Sequence, residues 1–181
     1  MLAALSLPAF GATHRDFLRL LPNLTAMIGL CIDGFHRDEV GGTVVVERSG
    51  RIRLRYPFTA RFREAAREAM RAMASIALAA GARRALTFHS DPLEISSAAD
   101  LSKIASAPFD PLDLSVFSAH QMGGCAMGED PKRAVVNSRG RHHQLSNLHV
   151  ADGSLFPTGL GVNPMLTIYG VAALVADAIE Y

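Results

Sequence analysis

Three short segments in the last third of the chain carry side chains able to do chemistry. The first is residues 118–128, Ser-Ala-His-Gln-Met-Gly-Gly-Cys-Ala-Met-Gly, in which His120 precedes Gly123 and Gly124. An imidazole of near-neutral pKa can take up a proton, and glycines beside it let backbone approach a flat ligand without a Cβ in the way. The same residues also suit a hydrogen-bonded core histidine next to a glycine turn. A metal site is not expected, because His120 and Cys125 are a single pair with no second pair at ligand spacing. The second segment, 148–157, reads as a short apolar strand running into Asp152-Gly153. Strand ends of this kind bind ligands in open α/β sheets, although a bare Asp-Gly turn is common elsewhere. The third, 159–168, places Asn163-Pro164 just ahead of an apolar helix. Pro164 suits the first helical position, and the unpaired N–H groups there favour an anionic or electron-rich atom. The alternative is that Asn163 simply caps the helix. Gly159 and Gly161 begin like a dinucleotide fingerprint, but no third glycine follows and no strand–helix–strand unit surrounds them.

The rest of the chain has to position these segments. Its 181 residues, 49% hydrophobic and 19% charged, suffice for one domain with a real core. A net charge of +1 shows no basic stripe for nucleic acid. The arginines at 51, 53, 55, 61, 63 and 67 alternate with apolar or acidic residues and read as a solvated face. Cys31 and Cys125 cannot form a disulfide framework, which fits an intracellular, cytoplasmic setting. Residues 1–12 are apolar but lack a basic leader and contain Pro8, so they read as part of a buried or interfacial helix. No run approaches the ~18 apolar residues of a membrane span.

Periodicity predicts a helix over 13–31, kinked at Pro22. Residues 43–47 and 51–56, joined by Arg48-Ser49-Gly50, predict a hairpin with one solvated face. The clearest helix spans 60–80, with Phe62, Ala65, Ala66, Ala69, Met70, Met73, Ile76, Ala77 and Ala80 on one face and Gly81 at its stop. A short strand at 85–88 leads into a connection reaching Asp113, with one helical turn near 101–105. Residues 118–164 are rich in glycine and turns, and an Ala-rich helix runs from Met165 to about Ile179. His142 and His143, after Arg139-Gly140-Arg141, are expected to face solvent.

Taken in this order, the segments around His120, Asn147 to Ser154 and Gly161-Val162-Asn163-Pro164 resemble the C-terminal region of the glucose–methanol–choline (GMC) oxidoreductases. The hairpin with its Tyr56-Pro57 and the helix ending Ala79-Ala80-Gly81-Ala82 look like the family's preceding substrate-domain segment. The wording Ser-Ala-His-Gln-Met-Gly is most similar to the long-chain alcohol oxidase and dehydrogenase branch. The resemblance implies a partial GMC-type α+β fold: a partial substrate-binding domain over 1–117 and a flavin-facing catalytic segment over 118–181. It implies FAD as cofactor and a small-molecule alcohol as substrate. His120 would act as base and Asn163 would hold the substrate oxygen, since an amide cannot be the base. Asp152, Gly153, Asn163, Pro164 and Met165 would face the cofactor, with the Met165 N–H near the flavin, the Gly153 N–H toward phosphate, and Asp152 on a ribityl hydroxyl or bracing the turn. No early strand–GxGxxG–helix unit is present. The expectation is therefore a chain lacking the N-terminal dinucleotide-binding unit: an inactive fragment, or a split-enzyme subunit that binds a partner chain supplying the missing FAD-binding half.

Overall fold

The computed structural model describes residues 7, 10–34, 36, 39, 41–110 and 112–179, so most of the reading for 1–12 lies outside the described residues. The elements in chain order are α1 (Gly11–Arg19), β1 (Thr43–Val46), β2 (Ile52–Arg55), α2 (Ala60–Ala79), β3 (Ala85–Leu86), β4 (Glu94–Ile95), α3 (Ser102–Ala105) and α4 (Met165–Asp177). They form a small mixed assembly of helices and two two-stranded antiparallel sheets, β1-β2 and β3-β4. No helix among the described residues is long and apolar enough to cross a membrane. The chain divides into two units, Met1–Cys31 with Phe58–Phe117 and Ile32–Pro57 with Ser118–Tyr181. Residues 32–57 thus group with the C-terminal segment rather than with the rest of 1–117.

In the first unit, α1 ends before Pro22, which falls in a 3-10 turn (Leu21–Asn23), and the backbone is extended at Leu24. The helix expected to reach residue 31 is therefore shorter. Pro22 has no N–H to continue the ladder, and nothing restarts the helix beyond it. α2 forms as expected: the Thr59 hydroxyl accepts from the Phe62 N–H at 3.1 Å, and Gly81 takes the left-handed conformation (φ 92°) that closes the helix. Its buried residues are Phe62, Ala66 and Ala74, with Met70 and Leu78 packed beside them. This is a row at every fourth position, which drifts about 40° around the helix per step. By Leu78 the buried side has turned away from Ile76, which is exposed rather than on the core face.

Phe62 stacks on Phe58 with centroids 4.8 Å apart and meets Phe109 edge-on at 6.4 Å. Arg67 departs from the solvated face expected of it. Its guanidinium lies 5.3 Å from the Phe109 ring centroid and donates to the Ala107 carbonyl at 3.3 Å. A second cluster joins Ala74 to the fully buried Ile95 and Ile104. Ile95 belongs to β4, which pairs with β3 as Ala85↔Ile95 and Leu86↔Glu94. His89 is buried and shares a 2.7 Å hydrogen bond with the Thr87 hydroxyl. Burial pulls its pKa below the ordinary histidine value, against opposing pulls from the Pro108 backbone and the Asp113 charge.

In the second unit the hairpin forms in the expected place, with Gly50 left-handed in its turn (φ 80°). Pairing sets Val44 opposite Leu54 and Val46 opposite Ile52, so the apolar side chains share one face. That face is not covered within the described chain: the four residues are 65–74% exposed. The remainder is mostly coil, closed by isolated bridges Met127↔Val136, Val136↔His142 and Arg141↔His149. The strand expected at 148–151 is thus reduced to one bridge, because its neighbours are single residues rather than a sheet.

Candidate functional site

The three chemistry-bearing segments meet through a small core. Val136, Leu155 and Val175 are buried together, and Met127, Val150 and Val171 pack on them. Met127 closes the His120 segment, Val150 and Leu155 flank Asp152-Gly153, and Val171 and Val175 belong to α4. Backbone bonds add register: Cys125 N–H donates to the Ser154 carbonyl and Met127 N–H to the Leu155 carbonyl, both at 2.9 Å.

The segments approach one another at Gly153. A Cβ there would lie 3.2 Å from the Gln121 carbonyl oxygen and 3.2 Å from the Ile168 Cδ1. A Cβ would be tight here because the residue after His120 and the first turn of α4 both approach Gly153. The neighbouring glycines are in ordinary contact with the same turn. Gly123 is left-handed (φ 88°) with the Phe156 carbonyl 3.5 Å from its Cβ position, and Gly124 faces the Ser154 Cβ. They bring the chain against itself at 153–156.

His120 is exposed on the coil opening this segment. The next residue, Gln121, ties the coil back on itself: its side-chain amide donates to the Ser118 carbonyl at 2.5 Å. Asp152 caps the 3-10 turn Gly153–Leu155, accepting from the Ser154 N–H at 2.8 Å and the Ser154 hydroxyl at 2.5 Å. These two bonds hold its pKa below the usual carboxylate value. Of the two roles open to Asp152, bracing the turn is the one its geometry displays. Gly153 is buried.

Asn163 and Met165 are exposed at the start of α4. The helix begins one residue later than Pro164 would predict. Pro164 is the N-cap, buried and in helical conformation, and its carbonyl accepts from the Ile168 N–H at 2.8 Å. Pro164 has no side-chain acceptor, so the carboxamide of Asn163 lies outside the capping position and no side chain caps α4. The first-turn N–H groups and the Asn163 amide therefore share one exposed edge.

The sequence missed several residues that shape this region. Gly140 is left-handed (φ 72°), and a Cβ on it would meet Val175 at 2.6 Å and the Val150 carbonyl at 2.7 Å. Asn137 supports that turn by accepting from the Arg139 and Arg141 N–H groups at 3.0 and 3.1 Å. His142 and His143 are half-buried rather than solvent-facing. His142 Nδ1 accepts from the Gln144 and Leu145 N–H groups at 3.1 and 3.2 Å, which puts its proton on Nε2. His143 Nε2 bonds the Gly128 carbonyl at 2.9 Å. The Asn-x-x-Gly spacing was the available signal. Among the described residues no group of three or more metal-ligating side chains comes together, and both cysteines are free.

These segments are those of a known family. The family model described as GMC oxidoreductase matches residues 45–172, and the chain belongs to that family. Similar curated proteins include the long-chain-alcohol oxidases FAO4A and FAO4B of Arabidopsis thaliana. FAO4A is 37% identical over 60% of the chain and 16% of its own length, and FAO4B 30% over 79% and 20%. They match the branch that the wording around His120 resembles. A cholesterol oxidase of Acinetobacter baumannii is 50% identical over 31% of the chain and 10% of its own length. Among solved structures, a pyridoxine 4-oxidase from Mesorbium loti superposes with a TM-score of 0.52 at 27% identity, covering 76% of this chain and 26% of that one. The chain thus spans a fifth or less of the curated relatives named here.

Proposed function

We propose that this chain is the substrate-oxygen and flavin-facing part of an FAD-dependent enzyme that oxidises the CH–OH group of an alcohol. The observation that carries it is the convergence at Gly153, where the residue after His120 and the first turns of α4 both come within 3.2 Å of the Cβ position. His120, exposed at this edge, takes the hydroxyl proton. Asn163, released from capping α4, donates a hydrogen bond to the substrate oxygen as charge develops there. FAD, when bound, supplies the acceptor for the hydride. The chain's donors fit such a group. α4 has no side-chain cap, and Asn163 and Met165 are exposed, so the Met165 N–H and the helix dipole favour the negative charge of a reduced cofactor. Pro164 fixes that helix start, while Asp152 and Gly153 hold the adjoining turn.

The test is to graft the full chain in place of the matched segment of FAO4B and follow oxidation of a long-chain primary alcohol. His120→Ala should lower kcat by about 10²–10⁴-fold with flavin content unchanged. Asn163→Ala should cost about 10²–10³-fold. Undiminished turnover in His120→Ala would remove the histidine from the chemistry.

A second reading has a specific observation in its favour: the chain docks on a partner that supplies the remaining FAD-binding surface. The Val44/Val46/Ile52/Leu54 face is uncovered within the described chain, and α4 exposes Leu166, Tyr169 and Leu174 at 76%, 63% and 69% although it is apolar nearly all round. On this reading the 181-residue chain alone binds FAD weakly and turns over no alcohol. A stoichiometric flavin spectrum with turnover from the chain alone would overturn it.

A further inference from the structure

The glycine loop that precedes Asn163 lies against segment 32–34, which is tied in turn to the hairpin. The Tyr56 hydroxyl at the end of the hairpin donates to the Asp33 carboxylate at 2.5 Å. Burial, then this hydrogen bond, then the charges of Asp33 and Glu39, push the phenol pKa up to about 12. Gly42, beside it at the same open end of the hairpin, makes room for the ring: a Cβ there would lie 2.6 Å from Tyr56 Cδ2 and 2.9 Å from the Arg55 carbonyl. On the far side of Asp33, its backbone carbonyl lies 3.2 Å from the Cβ position of Gly159, with Ile32 Cγ2 at 3.7 Å. The Gly34 carbonyl accepts from the Gly159 N–H at 3.5 Å, and Ile32 Cδ1 lies 3.5 Å from the Cβ position of Gly161. Gly161 is itself left-handed (φ 72°) two residues before Asn163. Segment 32–34 is therefore held to the hairpin on one side and lines the glycine loop on the other.

We propose that Tyr56 and Asp33 are positioning residues for Asn163, acting through segment 32–34 and the loop at 159–161. The inference rests on the reading of Asn163 as the amide that holds the substrate oxygen. The phenol–carboxylate bond ties 32–34 to the end of the hairpin, and close backbone contact passes that placement to the loop. Misplacing a positioning amide by a fraction of an ångström lowers the rate without altering what is bound.

The test uses Tyr56→Phe, which keeps the ring against Gly42, and Asp33→Ala. Ultraviolet titration of the phenols confirms that each variant has lost the bond: the ionisation near pH 12 disappears in Tyr56→Phe and moves down in Asp33→Ala. Hydrogen–deuterium exchange of the 181-residue chain should then show faster exchange over 157–163 in both variants, with β1 and β2 little changed. In the FAO4B graft, kcat should fall about 10-fold with KM unchanged, and that loss should vanish in an Asn163→Ala background. Unchanged exchange over 157–163 after loss of the bond overturns the brace, as does a rate loss that persists without Asn163. A wild-type graft that oxidises no alcohol defeats the functional reading of Asn163 instead, and the exchange data still decide whether the brace reaches its loop.

Discussion

The two units of the chain solve the same problem, burial of a core, by opposite means. The first is organised by α2, a 20-residue helix with a hydroxyl cap at one end, a left-handed glycine at the other, and a buried row at every fourth position. Its order is local, and the tertiary contacts extend it. The second has, among its described residues, one regular helix and a hairpin. Its chemistry-bearing coil is held by single-residue bridges, left-handed glycines and a core of three buried side chains. What the difference teaches is where function can sit. A helix such as α2 hydrogen-bonds its own backbone, whereas a coil folded on itself leaves His120, Asn163 and Met165 each exposed.

Substitutions can break or sharpen this contrast. The largest losses are expected from the cores: Ile104→Ala in the first unit and Leu155→Ala in the second should each cost about 2–5 kcal/mol in denaturant unfolding. Only Leu155→Ala should also disturb the His120 and Asn163 segments, read by hydrogen exchange. Gly140→Ala comes next. A left-handed non-glycine costs about 1–2 kcal/mol, and a Cβ 2.6 Å from Val175 adds an overpacking cost of about 1–3 kcal/mol. Equal stability of that variant would show that the turn on α4 is slack. Thr59→Ala should cost about 1 kcal/mol, because α2 loses a cap but keeps its packing.

The smallest expected effect is a pH slope from His89. Its pKa in the fold is held below 6.5, so the stability gained by keeping it neutral is complete above pH 6.5 and is lost as pH falls towards the folded value. Thermal melts between pH 7 and 5 should show this slope in the wild type and a flatter one in His89→Gln.

The same contrast explains what was legible in the sequence. α2 and the hairpin could be read because their signals are local: an apolar face at helical spacing, a terminal glycine, a Ser-Gly turn and alternation. β4 could not, since two residues carry no period. The partners of Arg67 and His143 were hidden because Ala107, Phe109 and Gly128 are brought to them by folding, and no spacing announces them. The ordered set of motifs that marks the family was legible. Its geometry was not, because Gly153 reads as half of an Asp-Gly turn until Gln121 and Ile168 are seen to close on it. Pro164 was read one position too far into α4, since its helical backbone conformation serves a cap as well as a first residue.

The central claim is that His120 and Asn163 act on one substrate oxygen at one edge. A double-mutant cycle on the rate of flavin reduction by alcohol, measured by rapid mixing in the FAO4B graft, tests it most directly. If the two residues act as a unit, the His120→Ala/Asn163→Ala enzyme should be little slower than the slower single variant. Losses that multiply across the cycle would place the two residues in separate roles and contradict the account.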